Sequence, residues 1–156
     1  MRKWLLLAAL IVVADQLTKY VAVQFLAAGK VVVVMPFFNL VLVYNSGAAF
    51  SILSDAAGWQ RGLFIAIALI ASAWIVYLLQ KYPHQYWFAL ALSLVLAGAV
   101  GNAIDRIVIG AVIDFLDFHA LGYHWPAFNV ADSAITCGAA LLIWDALRPR
   151  RLGASL

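Results

Sequence analysis

The chain has 156 residues, ten basic and seven acidic side chains and a formal net charge of +3. It is 67% hydrophobic and only 11% charged, with a mean hydropathy of +1.00, whereas a soluble domain carries about 25% charged residues. The composition therefore excludes a soluble globular enzyme and reads as a single integral membrane domain over 1–156. All seven acids are aspartate, which removes every motif that needs glutamate, the HExxH zinc-protease signature among them. No basic run interleaved with exposed aromatics suggests nucleic acid.

A membrane span needs about 20 mostly apolar residues, and four segments qualify. The first covers approximately 4–23 and carries Asp15 and Lys19, spaced i,i+4 so that carboxylate and ammonium share a face and neutralise each other. Arg2 and Lys3 ahead of the apolar run Leu5–Val13 also fit a cleavable export signal; a retained helix accounts better for the Asp15–Lys19 pair. Residues 24–60 are too long for a plain connection. Val31–Val34 is a β-branched run, Met35-Pro36 breaks it, Phe38–Tyr44 is a second strand-like run, and Asn45-Ser46-Gly47 turns. These features predict a small sheet on the outer membrane surface, followed by a short amphipathic piece over Ala48–Leu53.

The second and third spans, approximately 62–80 and 85–104, carry no formal charge. A second outer loop, approximately 105–127, holds Asp114, Asp117, His119 and His124 among aromatics, with a strand-like setting over Ile107–Phe118. The fourth span, approximately 128–147, is bracketed by Asp132 and Asp145, and its Cys137 reads as a small hydrophobe. Basic residues at Arg2 and Lys3, at Lys81, and at Arg148, Arg150 and Arg151 put both termini and the second-to-third connection on the cytoplasmic side. The two long connections are then outside. Trp4, Tyr82, Tyr86, Trp87 and Trp144 suit the interfacial aromatic belt of the inner side.

Acids at the ends of apolar segments are costly and mark a functional site by default. Asn129 reads as an N-cap and Asp132 as a first-turn acid favoured by the helix dipole, which also makes a rigid support for a catalytic carboxylate. Asp105 ends the third span, where the dipole disfavours a negative charge; Arg106 is the nearby cation, and Asn102 lies one turn back. Asp114 is predicted to be partly desolvated, with a raised pKa. Asp117, three residues on, points the other way by strand alternation and reads as a solvated surface acid.

Two carboxylates close together share a proton. The ionised one takes a proton from water as it attacks a peptide carbonyl, while the protonated one polarises the carbonyl oxygen and later donates to the leaving nitrogen. Rival readings are a magnesium-dependent lipid transferase built on Asp105, Asp114, Asp117 and Asp132, and a small proton-coupled transporter, which would need a mid-membrane acid and repeated halves. A zinc site at His119 and His124 lacks ligand spacing. Ser46 and Ser133 lack a GxSxG setting.

Five blocks carry a resemblance over nearly the whole chain: Asp15-Gln16-Leu17-Thr18-Lys19, Tyr44-Asn45-Ser46-Gly47-Ala48-Ala49-Phe50, Gly101 to Arg106, Val112-Ile113-Asp114-Phe115 and Phe128 to Ser133. In this order, with four spans, the sequence resembles the lipoprotein signal peptidase, or signal peptidase II, family. Ser46 stands where threonine is common in that family.

The resemblance implies an aspartic peptidase of the bacterial inner membrane that needs no cofactor and removes the signal peptide of diacylglyceryl-modified prolipoproteins. It implies catalytic roles for Asp114 and Asp132. Asn45, Gly47, Asn102, Asp105, Arg106 and Asn129 match residues that shape the substrate or inhibitor site, and Asp15 and Lys19 match a supporting polar pair. Membrane lipid and peptide-like inhibitors are the other implied partners. On the residues alone Asp105 ranks close behind Asp114; the preference for Asp114 comes from the resemblance. The implied fold is mainly α, four transmembrane helices with an extracytoplasmic β-cradle.

Overall fold

The computed structural model describes residues 1–47 and 58–148. Four helices are each long and apolar enough to cross a membrane: α1 (Arg2–Phe25), α2 (Trp59–Lys81), α3 (Tyr86–Val108) and α4 (Val130–Leu147). Between them lie strands β1 (Val32–Met35), β2 (Phe38–Asn45), β3 (Val112–Ala120) and β4 (Tyr123–His124). The molecule is a mainly α membrane protein with one small antiparallel sheet. The expected amphipathic piece over Ala48–Leu53, together with Asp55, Arg150 and Arg151, lies outside the described residues.

α3 is the central helix and packs against each of the other three. Small residues permit this: a Cβ on Gly138 would come within 2.7 Å of the Val95 side chain, and one on Gly101 within 2.6 Å of the Asp15 carboxylate. Far from the sheet, the core is apolar, with Trp4 and Ala8 of α1, Ile75 and Leu79 of α2, and Ala89, Leu92, Leu96 and Ala97 of α3. Leu10, Ile70 and Ile143 are among the large apolar side chains left exposed on the outside of the bundle, the surface a lipid solvent would cover.

The sheet order is β1-β2-β3-β4, so the α1–α2 and α3–α4 connections both contribute to it. The strand-like stretch expected over Ile107–Phe118 divides differently: α3 continues to Val108, and β3 begins only at Val112. Its start is pinned by the backbone N–H of Ile113, which donates to Asp105 Oδ2 at 3.2 Å.

The β2–β3 register carries an irregularity with consequences for the site. Leu40 is opposite Leu116 and Val43 is opposite Asp114, so β2 holds one more residue than β3 over this stretch, a β-bulge. Side chains alternate faces with period two, and one inserted residue moves everything beyond it to the other face. Asn39 is directly opposite Asp117, and beyond the bulge Asn45 shares the face of Asp114. In a regular strand Asn39 and Asn45, six positions apart, would share one face and leave one aspartate without its amide.

Candidate active site

The polar residues collect where the first turn of α4 meets α1, α3 and the start of β3. A buried charge in a low-dielectric interior is tolerated only with partners that satisfy it, and Lys19, 1% exposed, has three. Its ammonium reaches Asp15 Oδ2 at 2.8 Å, Asp105 Oδ2 at 2.7 Å and Asn102 Oδ1 at 3.0 Å, which uses all three of its donors. The i,i+4 pairing of Asp15 with Lys19 is present. The cation that compensates Asp105 is Lys19 and not Arg106, because adjacent helical residues diverge while α1 presents its ammonium to α3. Asn102 likewise turns to Lys19 and Asp132 rather than to Asp105.

Each acid of this group also holds backbone. Asp15 Oδ1 accepts from the N–H of Ala131 at 2.8 Å, one of the donors that a helix start leaves without an internal partner. Asp105 accepts from Ile113 of β3 and, at 2.9 Å, from Gln16 Nε2. The sequence reading passed over Gln16; it stands between Asp15 and Lys19 in a block already singled out, but a lone glutamine on a span carries no recognisable signal.

At the head of α4, Asn129 and Asp132 form a reciprocal capping box. The Asp132 N–H donates to Asn129 Oδ1 at 2.9 Å, and the Asn129 N–H donates back to Asp132 Oδ2 at 3.3 Å. That cap orients the Asn129 amide, so its NH2 group turns to Asp114 Oδ1 at 2.7 Å. One residue therefore touches both aspartates. Asn102 Nδ2 donates to Asp132 Oδ1 at 2.8 Å, and Asn45 Nδ2 to Asp114 Oδ2 at 3.1 Å.

Asp114 is 2% exposed. Burial first, and then the nearby charge of Asp132, push its carboxyl up to about 7, against the opposing pull of the Asn45 and Asn129 amides and the Lys19 charge.

Arg106 spans the gap to the first outer loop. Its Nη2 donates to the Gly47 carbonyl at 2.9 Å, its guanidinium lies 4.9 Å from the Phe64 ring centre, and its buried Nε has no acceptor among the described residues. Gly47 in turn donates its N–H to Asn45 Oδ1 at 3.0 Å.

Asp117 departs from expectation. It is 5% exposed rather than solvated, because β2 and the β3–β4 hairpin bring Asn39 and His124 against it. Asn39 Nδ2 donates to its Oδ2 at 2.9 Å, and His124 Nδ1 sits 2.9 Å from its Oδ1. Burial raises its pKa, but those two hydrogen bonds and the neighbouring histidines outweigh it and hold the carboxyl below the usual range. Among the described residues no three His, Cys or Asp side chains converge so as to hold a metal ion.

A family model described as signal peptidase (SPase) II matches residues 7–148. The chain is 57% identical over 145 residues to a lipoprotein signal peptidase of Cupriavidus pinatubonensis, covering 93% of this chain and 82% of that one. Identity to a lipoprotein signal peptidase of Paraburkholderia phymatum is 54%, over 93% and 87% of the two chains. A solved structure described as a bacterial membrane enzyme, obtained by the in meso method at 2.3 Å, is similar with a TM-score of 0.85 at 34% identity, covering 99% of this chain and 96% of that one. A second bacterial membrane enzyme, solved at 1.9 Å, gives 0.83 at 36% identity over 96% of both.

Proposed function

Because the chain belongs to the signal peptidase II family, peptidases that remove signal peptides from lipoproteins, we propose that Asp114 and Asp132 activate water against the scissile peptide bond. The observation that carries this reading is the Asn129 bridge between the two carboxylates; burial and the neighbouring Asp132, which push the Asp114 carboxyl up, agree with it. Like charges held close share one proton, and we assign it at rest to Asp114. Asp132, held by Asn102 and by the Asn129 backbone, is the ionised partner.

Asp132 takes a proton from water as the oxygen bonds to the carbonyl carbon, and Asp114 hydrogen-bonds the carbonyl oxygen. Asp114 then gives its proton to the nitrogen as the C–N bond breaks. The cycle closes when the proton left on Asp132 passes back to Asp114. The Nε of Arg106, without an acceptor among the described residues, supplies a donor to a substrate carbonyl or ester, while Lys19, Asp15 and Asp105 keep the frame rigid. No step requires a metal or cofactor.

The substrate is a prolipoprotein whose cysteine carries diacylglycerol, a group that confines the scissile bond to the membrane interface. The family resemblance supports a place in the bacterial cytoplasmic membrane, and the distribution of basic residues supports both termini inside, with the site at the outer face beneath the sheet. Peptide-like inhibitors of the family occupy the same place.

Asp114→Asn and Asp132→Asn, each expressed in cells lacking the native enzyme, are expected to accumulate in the membrane and leave prolipoprotein uncut. Normal processing by either variant overturns the two-aspartate mechanism.

A further inference from the structure

At the end of the bundle remote from the sheet, the start of α1 and the α2–α3 connection form an open depression of about 500 Å3 lined by Arg2, Lys3, Trp4, Pro83, His84 and Tyr86, together with Met1. This lies within the range of about 300–1,000 Å3 usual for small-molecule sites. We propose that it seats the headgroup of an anionic phospholipid.

The floor is fixed. Trp4 is buried, its indole N–H donates to the Pro83 carbonyl at 3.1 Å, and its ring meets Tyr86 edge-on at 5.2 Å. The Lys3 ammonium is held 4.8 Å from the Trp4 ring centre and 5.8 Å from that of Tyr86, an attraction that offsets its charge only in part. Among the described residues neither Arg2 nor Lys3 enters an ion pair. Among the described residues no carboxylate lines the cavity, and Asp145, an acid at this end, is engaged by Arg148 at 3.1 Å. A concave surface with two uncompensated cations is complementary to a phosphate diester.

Two features select a lipid over free phosphate. Trp87 and Trp144 meet at 5.2 Å at the same end of the bundle, and such aromatic belts mark headgroup level, where basic pockets between helices take anionic headgroups. Below Lys3 on the same helical face come Leu6, Leu10, Val13 and Leu17, at i+3, i+7, i+10 and i+14, all of them more than half exposed. That stripe gives an acyl chain a continuous path from the headgroup into the hydrocarbon.

The test is native mass spectrometry of the full chain in detergent, titrated with short-chain phosphatidylglycerol, phosphatidylcholine and inorganic phosphate. Phosphatidylglycerol is expected to bind at least about fivefold more tightly than phosphatidylcholine, and each of Arg2→Gln and Lys3→Gln to cost about fivefold, as one cation at a charged membrane surface does. Lys81→Gln is the control, because its ammonium also lies over aromatic rings, 5.8 Å from Tyr77 and 5.4 Å from Tyr82, but outside the cavity. Its binding should be unchanged. Equal affinity for the two lipids, or an equal loss from Lys81→Gln, overturns the site, and displacement of phosphatidylglycerol by millimolar inorganic phosphate overturns the lipid assignment.

Discussion

Two aspartates three residues apart on β3, each with little exposed surface, meet different polar surroundings. Asp114 and Asp117 are 2% and 5% exposed, and each accepts a hydrogen bond from an asparagine of β2. Asp114 has another carboxylate for a neighbour and is pushed up to about 7, whereas Asp117 has two histidines and is held below the usual range. Burial raises both; at Asp114 it is the largest influence and the Asp132 carboxylate adds to it, whereas at Asp117 the hydrogen bonds from Asn39 and His124 outweigh it. The proposed function assigns proton transfer to Asp114; Asp117 ties the β3–β4 hairpin to β2.

The largest test of this contrast is activity. Asp114→Asn is expected to lower kcat/KM on a synthetic lipopeptide by about 10³-fold or more, at the upper part of what a general acid supplies, while Asp117→Asn, which touches neither proposed catalytic carboxylate, stays within about threefold of the native rate. Comparable losses from the two would erase the distinction. The pH profile comes next. Since Asp114 must be protonated, kcat/KM should fall about tenfold per pH unit above about 7, and the midpoint belongs to the coupled pair. A flat profile to pH 9 contradicts the role of Asp114 as the acid.

Stability should separate the two acids by sign. Asp114 has a folded pKa above its unfolded value, so the folded state binds more protons and stability declines as pH rises from about 4 to about 7. Asp114→Asn is therefore expected to melt higher than the native chain at pH 8, with no gain at pH 4. Asp117 has a depressed folded pKa, so its contribution is present above about pH 4 and is lost as pH falls through the folded value. Asp117→Asn should melt lower at pH 7, by about 1 kcal/mol, and converge with the native chain in acid. The loss is small because Asn39 Oδ1, buried without a partner among the described residues, becomes available once that amide rotates. Smallest of all, a chelator is expected to leave turnover unchanged, whereas loss of activity would favour the lipid transferase.

Much of the frame was legible because it follows from local rules. Uncharged apolar runs read as helices whatever surrounds them, an i,i+4 Asp–Lys pair meets on any helix, and Asn129 followed three residues later by Asp132 is a cap in any context. Long-range partners were not legible. Lys19 pairs with Asp105 across 86 positions and Asp15 holds the Ala131 N–H across 116, and no periodicity in one chain announces such a meeting. The reading of Asp117 as solvated failed for the same reason: alternation gave its face, but not the Asn39 and His124 side chains brought against it.

Amino-acid order alone determined a four-span membrane protein, the strand-forming content of its outer loops and the set of acids that needed an explanation, because hydropathy and capping act over a few neighbouring residues. Only the tertiary structure decided which acids meet. The one-residue bulge in β2 gives Asp114 and Asp117 an amide each on opposite faces, and the buried Lys19 draws α1 and α3 together beneath α4. Both depend on groups that become neighbours only after the chain has packed, when the loss of water makes every unpaired charge too costly to leave.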